Sequence, residues 1–152
     1  MAEANVVASP LCRAVDTARL VSGRVPQIVP ELIEMDWGAW QGLRGTDLVA
    51  DASSGYRHIE DWGWDFQPPG GETPKLVWNR IKPWIAAAQG FNVAVCHIGV
   101  MRVLLARATG WDFSGPAPFQ VKRDRLYILD RNDDGALVFD DKPIRLIQTG
   151  RQ

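Results

Sequence analysis

The sequence predicts an α/β fold built on a mostly parallel sheet with an antiparallel edge. Three observations carry that reading. The apolar runs Asn5–Ala8 and Val93–Cys96 each feed directly into a segment with helical periodicity. A third helical pattern, opening at Thr73-Pro74, lies between them. The carboxyl-terminal part then changes character, with short apolar runs around the turn Asn132-Asp133-Asp134-Gly135. The order is β-α-β-α-β-α and then β-β-β, which places helices against a parallel sheet.

Each element has a local reason. After the first strand, Ser9-Pro10 makes a turn and a helix entry. Leu11, Ala14, Val15, Ala18 and Val21 recur at helical spacing, and Ser22-Gly23 ends that helix. Gln27-Ile28-Val29 reads as a short second strand. Glu31 to Leu43 is more loop than regular element, and Thr46 to Ala52 supplies a turn or two of helix. Ser53 to Gly71 is a long connection, expected to be a functional lid or poorly ordered. Thr73 is placed to cap the next helix, with Pro74 at its first position. Leu76, Val77, Ile81, Trp84, Ile85 and Ala88 form its apolar face; Gly90 stops it, and Pro83 should kink or break it. The helix after His97 runs to about Thr109-Gly110. Arg125 to Leu129, Ala136 to Phe139 and Ile144 to Ile147 read as strands.

Composition narrows the classes. The 152 residues suit one ordinary domain with a core of its own. A net charge of −1 gives no field to recruit nucleic acid or an anionic membrane. No stretch approaches the roughly 20 apolar residues of a membrane span, and the first residues lack signal-peptide character. Cys12 and Cys96 lie far apart in apolar or motif contexts, which reads as two reduced, buried thiols in a cytoplasmic protein. Four of the seven tryptophans, Trp37, Trp40, Trp62 and Trp64, fall in one segment. They either line a pocket or pack under a long loop.

His97 ends an apolar strand where a helix begins. Ligands of open α/β sheets bind at such strand ends, and a helix N-terminus favours phosphate. The competing reading is a satisfied core histidine. Cys96, its neighbour on the strand, points to the opposite face, so a Cys–His pair is not expected. Two isolated histidines and scattered carboxylates show no metal-ligand spacing. Lys122-Arg123-Asp124-Arg125 is a solvated charge run or a patch that steers anions.

Four motifs follow in order. They are Ser9-Pro10-Leu11-Cys12-Arg13-Ala14 with Thr17-Ala18, the segment Leu32-Ile33-Glu34-Met35-Asp36-Trp37-Gly38-Ala39-Trp40-Gln41-Gly42, the run Pro69-Gly70-Gly71-Glu72-Thr73, and the His97 strand. Together they closely resemble the histidine phosphatase superfamily, the phosphoglycerate-mutase-like proteins. The likeness covers nearly the whole chain. It implies a three-layer α/β/α sandwich and a phosphohistidine mechanism, with a small phosphorylated metabolite as substrate, no cofactor and no metal. A phosphatase is expected rather than a mutase, because the long insertions of mutases are not evident. By this resemblance Arg13 binds phosphate, Glu34 is the general acid and base, and His97 is a catalytic, phosphate-binding histidine. Glu72-Thr73 is expected to cap the following helix rather than to do chemistry. Glu34, Arg13 and His97 each retain a plain alternative, as a solvated loop acid, a helix-surface arginine and a core histidine.

Two departures from the family pattern matter. Trp40-Gln41-Gly42 stands where the family has tryptophan-glutamate-glycine. More seriously, the family's first strand, ending in arginine-histidine-glycine and carrying the nucleophile, is absent. The pair Arg57-His58 looks superficially similar, yet no apolar strand precedes it and Ile59 replaces the glycine. His58 is read as solvated or packed in a loop. The expectation is therefore an N-terminally truncated, single incomplete domain over residues 1–152, with 53–71 as a lid-like insertion. Such a chain alone is expected to be inactive, its full-length form being a phosphomonoesterase. The alternative is a non-catalytic pseudophosphatase that binds phosphate or a protein partner; a third reading makes the tryptophan cluster a carbohydrate or aromatic-binding surface. The resemblance sets the missing strand between the strands leading to Ser9 and to His97. Without it the two must pair directly or leave an apolar cleft, lowering stability and favouring a homo-oligomer.

Overall fold

The computed structural model describes residues 4–146. Strand β1 (Asn5–Ala8) is the middle of a three-stranded parallel sheet, with β2 (Gln27–Ile28) on one side and β3 (Asn92–Val95) on the other. β1 and β3 pair directly, Asn5 opposite Asn92 through to Ala8 opposite Val95. The Ser9 N–H donates to the Val95 carbonyl at 2.9 Å and extends the ladder one residue further. No cleft opens between the two strands. Among the described residues the outer sides of β2 and β3 are the two edges of this sheet.

Alternation along β1 makes the layers. Val6 and Ala8 pack with Ala18, Val15 and Val95, on the face covered by helix α1 (Cys12–Ser22). Val7 points the other way, into the main core. That core is filled by Val77 and Ile81 of α3 (Pro74–Ala87) and by Val100, Val103 and Ala106 of α4 (Ile98–Thr109). The period of two in the strand and the helical stripes therefore meet as one layer on each side of the sheet.

The helix punctuation is as the sequence indicates. Gly23 and Gly110 take left-handed conformations at the ends of α1 and α4. Thr73 accepts the Leu76 N–H at 3.0 Å, with Pro74 at the first position of α3. A short helix α2 (Gly45–Ala50) and single 3₁₀ turns at Pro30–Leu32, Gly38–Trp40 and Ala52–Ser54 fill the segment between β2 and α3.

Several expectations are corrected. Helix α3 runs unbroken through Pro83, because that residue is exposed and water can satisfy the carbonyl left without a partner. The same helix ends at Ala87, before Gly90. Val21 and Leu76 are exposed, since the buried stripes are narrower, Ala14 and Ala18 in α1 and Pro74, Val77 and Ile81 in α3. Cys12 is exposed rather than buried, lying off the Ala14–Ala18 stripe. The predicted strand Arg125 to Leu129 is two strands, β4 (Arg125–Leu126) and β5 (Leu129–Arg131). β5 pairs with β6 (Leu137–Phe139) across the Asn132–Gly135 turn, and β4 pairs with β7 (Ile144–Arg145). These antiparallel pairs form two ribbons of their own, not an edge of the parallel sheet. Their strands are only two or three residues long; β5–β6 is a hairpin, and the β4–β7 pair brackets it. Ile147, the predicted end of the last strand, lies outside the described residues.

Residues 53–71 are tied to the core by aromatic packing. Trp62 is buried and stacks near Trp40 and Phe66. The backbone N–H groups of Trp62 and Gly63 both donate to the Phe113 carbonyl. Phe113 holds φ +62°, a conformation that bulky residues rarely adopt. Its ring, 1% exposed between Trp111 and Trp64, keeps it there. Phe113→Ala is expected to cost about 3–5 kcal/mol in urea unfolding. A loss below about 1 kcal/mol would mean that this ring does not hold the segment in place.

Candidate active site

The β1–β3 register brings two strand ends to one level, and each supplies a polar side chain. Ser9, fully buried, follows β1; His97, 7% exposed, follows β3. Their side chains meet at 2.7 Å, Ser9 Oγ to His97 Nε2. Ser9 Oγ also accepts the Leu11 N–H at 3.3 Å, and toward the ring it is donor or acceptor according to the imidazole tautomer. His97 stands at the N-terminal boundary of α4 and its own carbonyl accepts the Met101 N–H.

Glu34 arrives from the loop after β2. Its Oε1 accepts the Met35 N–H at 2.9 Å and the Gly99 N–H at 3.0 Å. The carboxylate thus sits on the first turn of α4, where N–H groups and the helix dipole favour negative charge. Only glycine fits at position 99. A Cβ there would lie 2.6 Å from Glu34 Oε1 and 2.8 Å from Met35 Cβ.

A second network holds the Glu34 loop from behind. Arg80 of α3 pairs with Glu72, Nε to Oε1 at 3.0 Å and Nη2 to Oε2 at 3.1 Å. The same guanidinium donates to the carbonyls of Glu31 and Ile33. Glu72 accepts the Asp36 N–H at 2.9 Å and returns its own N–H to the Asp36 carbonyl at 2.8 Å. Glu34 is bracketed by these anchors. Gly38 and Gly71 let the two loops touch, since a Cβ on Gly38 would meet the Pro69 carbonyl oxygen at 2.2 Å. The expectation for Glu72-Thr73 is half corrected: Thr73 caps α3, whereas Glu72 braces the site.

The electrostatics divide the titratable groups. Burial, then the Arg13 and Arg80 charges, lower the His97 pKa to about 4, so the ring is neutral near pH 7. Burial raises the Glu34 pKa, opposed by N–H groups of Met35, Gly99 and Val100 and by Arg13. Arg13, on the first turn of α1, therefore lies in the field of both His97 and Glu34. The structure brings together the three residues singled out in the sequence. It adds Ser9, Arg80 and Arg102, a partly buried residue of α4 that interacts electrostatically with Glu34 and Tyr56. Ser9 stood inside a recognised motif; Arg80 and Arg102 carried no sequence signal beyond their place on helices.

Other candidates make none of the side-chain hydrogen bonds that hold Ser9, His97 and Glu34. His58 is exposed and lies edge-on to Tyr56, with ring centroids 5.4 Å apart. The Cys96 thiol is pushed up to about 12 by burial, which leaves it un-ionised. In the charge run 122–125, Arg125 pairs with Asp124, and Asp124 also with Arg145. A hollow of about 130 Å³ lined by Phe119, Arg125, Tyr127 and Phe139 shares no residue with the site.

The His97 pKa has a consequence for stability. Its folded value lies below the ordinary 6.5, so the unfolded chain binds the proton more tightly. Stability from this group is complete above about pH 6.5 and is lost as pH falls toward about 4, by up to roughly 3 kcal/mol. Urea unfolding at several pH values should show that loss in the parent chain and a flatter profile in His97→Asn. Equal slopes for the two chains would rule out His97 as the group responsible.

Comparison with known proteins agrees with this geometry. The profile of the histidine phosphatase superfamily (branch 1) matches residues 2–140. The chain is 33% identical over 138 residues to the adenosylcobalamin/alpha-ribazole phosphatase of Escherichia coli, covering 84% of this chain and 66% of that protein. It is 37% identical over 114 residues to the Salmonella typhimurium protein of the same name, covering 68% of this chain and 55% of that one. The chain thus spans less than two thirds of the length of either relative. A solved mycobacterial glucosyl-3-phosphoglycerate phosphatase, complexed with VO3, superposes with a TM-score of 0.74 at 26% identity, over 90% of this chain and 74% of that one. The four ordered motifs, the fold and the profile match together make this chain a member of the histidine phosphatase superfamily.

Proposed function

We propose that this chain carries the phosphate-binding and proton-handling part of a phosphomonoesterase for small phosphorylated metabolites. One observation carries the reading: a neutral buried histidine, a carboxyl group on a helix N-terminus and an exposed arginine share one electrostatic site. Arg13 grips the phosphoryl oxygens through its planar fork. In this reading the Ser9 hydroxyl donates to Nε2, so the neutral His97 ring carries its proton on Nδ1 and offers that N–H to the phosphoryl group. Glu34, its pKa raised, is the acid that protonates the departing alkoxide.

In the whole protein a nucleophilic histidine attacks phosphorus, the ester P–O bond breaks, and Glu34 gives its proton to the alcohol. Water, deprotonated by Glu34, then releases phosphate from the phosphohistidine. Neither histidine of these 152 residues fills the attacking role in this reading. His97 is committed to Ser9, and His58 lies in the open against Tyr56. The 152-residue chain is accordingly expected to bind phosphate without turning over esters. The substrates named for the relatives, alpha-ribazole and glucosyl-3-phosphoglycerate esters, support a small phosphorylated metabolite. The buried Cys96 thiol supports a reducing, cytoplasmic setting.

A second reading is favoured by the same exposed His58 and by the open edge of β3. In it the chain is a pseudophosphatase that binds phosphate, or a protein partner, without catalysis. One experiment serves both. Calorimetry with inorganic phosphate should show binding that weakens at least about tenfold in Arg13→Ala, the loss of one charge-assisted contact. Turnover of 4-nitrophenyl phosphate should be absent. Absence of phosphate binding would defeat the first reading and leave only the protein-partner form of the second. Turnover by this chain would show that it holds its own nucleophile.

A further inference from the structure

Beside the phosphate site lies a cleft of about 530 Å³, in the range of small-molecule pockets. Its walls are Trp37, Trp40, Trp62 and Tyr56, and Ile98 and Arg102 of α4 close one side. The first turn of α4 links the two: Ile98 and Arg102 line the cleft, and the Gly99 N–H between them holds Glu34. Ile98 follows His97 in the chain, and Trp37 lies three residues beyond Glu34. Arg102 interacts electrostatically with Glu34 on one side and with Tyr56 of the cleft wall on the other. In the phosphate-binding reading the ester oxygen faces Glu34, and α4 carries the cleft wall from Ile98 to Arg102 beside that carboxyl group.

The walls are not generic apolar surface. Trp37 meets Trp62 edge-on at 5.8 Å, and Trp40 lies 5.4 Å from Tyr56 and 6.3 Å from Trp62. Trp37 and Tyr56 are only half-buried, leaving ring surface open to the cleft. Trp62 and Trp40 satisfy their indole N–H groups elsewhere, on the Arg57 and Ser54 carbonyls. Their rings are therefore fixed by the fold and need no rearrangement to receive a guest. Rigid aromatic faces favour stacking on another flat ring, and the neighbouring guanidinium favours an electron-rich one.

We propose that this cleft is the leaving-group subsite, and that the chain selects phosphomonoesters whose alcohol carries a flat aromatic ring. The inference rests on the phosphate-binding reading above. It assigns Trp37 and Tyr56 to substrate selection and gives the 53–71 insertion its role as a wall.

Phenyl phosphate and cyclohexyl phosphate are similar in size, and only one is flat and aromatic. Competition of each against inorganic phosphate, read by calorimetry on the 152-residue chain, tests the assignment. Phenyl phosphate should bind at least about fivefold tighter than cyclohexyl phosphate, the scale of one favourable ring pair. Trp37→Leu and, independently, Tyr56→Leu should shrink that ratio toward one, whereas Trp78→Phe should keep it, since Trp78 stacks on Arg107 outside the cleft. Phosphate binding with equal affinity for the two esters would overturn the aromatic subsite and leave the phosphate site standing. Failure to bind phosphate at all would overturn both.

Discussion

Everything at the candidate site depends on the register between β1 and β3. Four residue pairs in parallel put Ser9 and His97 side by side at the carboxyl ends of adjacent strands. A slip of one residue would turn Val7 out of the main core and carry His97 away from Ser9. The ladder is short, but the two faces of β1 pack into separate hydrophobic clusters, and that alternation specifies the register more strongly than hydrogen bonds alone. The hydrogen bond between Ser9 and His97 is thus a product of core packing, made where the core ends.

The acid is placed by different means. Glu34 belongs to no helix or strand, and a loop carboxylate left to itself would wander in solvent. Here the loop is pinned on both sides, by Arg80 on the Glu31 and Ile33 carbonyls and by Glu72 on the Asp36 N–H. The pin is a half-buried ion pair that also satisfies backbone groups, a use in which removing one partner strands the other. Gly99 then allows the carboxylate to come down onto α4. Sequence neighbours thus fix the direction of approach, and residues roughly fifty positions away fix its depth, as long-range networks do in a preorganised site.

The pattern of what was legible follows from this. The β1 and β3 runs, the α1 and α4 ends at Gly23 and Gly110, and the Thr73 cap are local signals, and the structure has them where the residues indicate. Arg13, Glu34 and His97, which the structure brings into one electrostatic neighbourhood, each sit inside an ordered motif. The Arg80–Glu72 brace was not legible, because a salt bridge from a helix to a residue eight positions back, before its cap, looks in sequence like any pair of charges. Errors arose where burial depends on partners. Val21 and Leu76 follow helical spacing yet stay exposed, because the three-stranded sheet covers only a narrow stripe of each helix. The tail strands were found, but their pairing into two separate ribbons is decided by hairpin closure at Asn132–Gly135 and by the β4–β7 match, neither readable from alternation alone.

The two titratable side chains at the centre are displaced in opposite directions by one environment. Burial disfavours charge on both, so it lowers His97 and raises Glu34. The surrounding arginines act with burial on the imidazole and against it on the carboxyl group. The result is a ring that stays neutral well below pH 7 beside an acid that holds its proton higher than an exposed glutamate does. A neutral donor and a protonatable carboxyl group within one cationic site are the separation that acid chemistry on a phosphate ester requires. An arginine alone would bind the anion but could not release an alcohol; a glutamate alone would repel it. In the proposed reaction the helix N–H groups that hold Glu34 reconcile the two, because they limit the rise in its pKa and suit the same carboxyl group to serve first as acid and then as base.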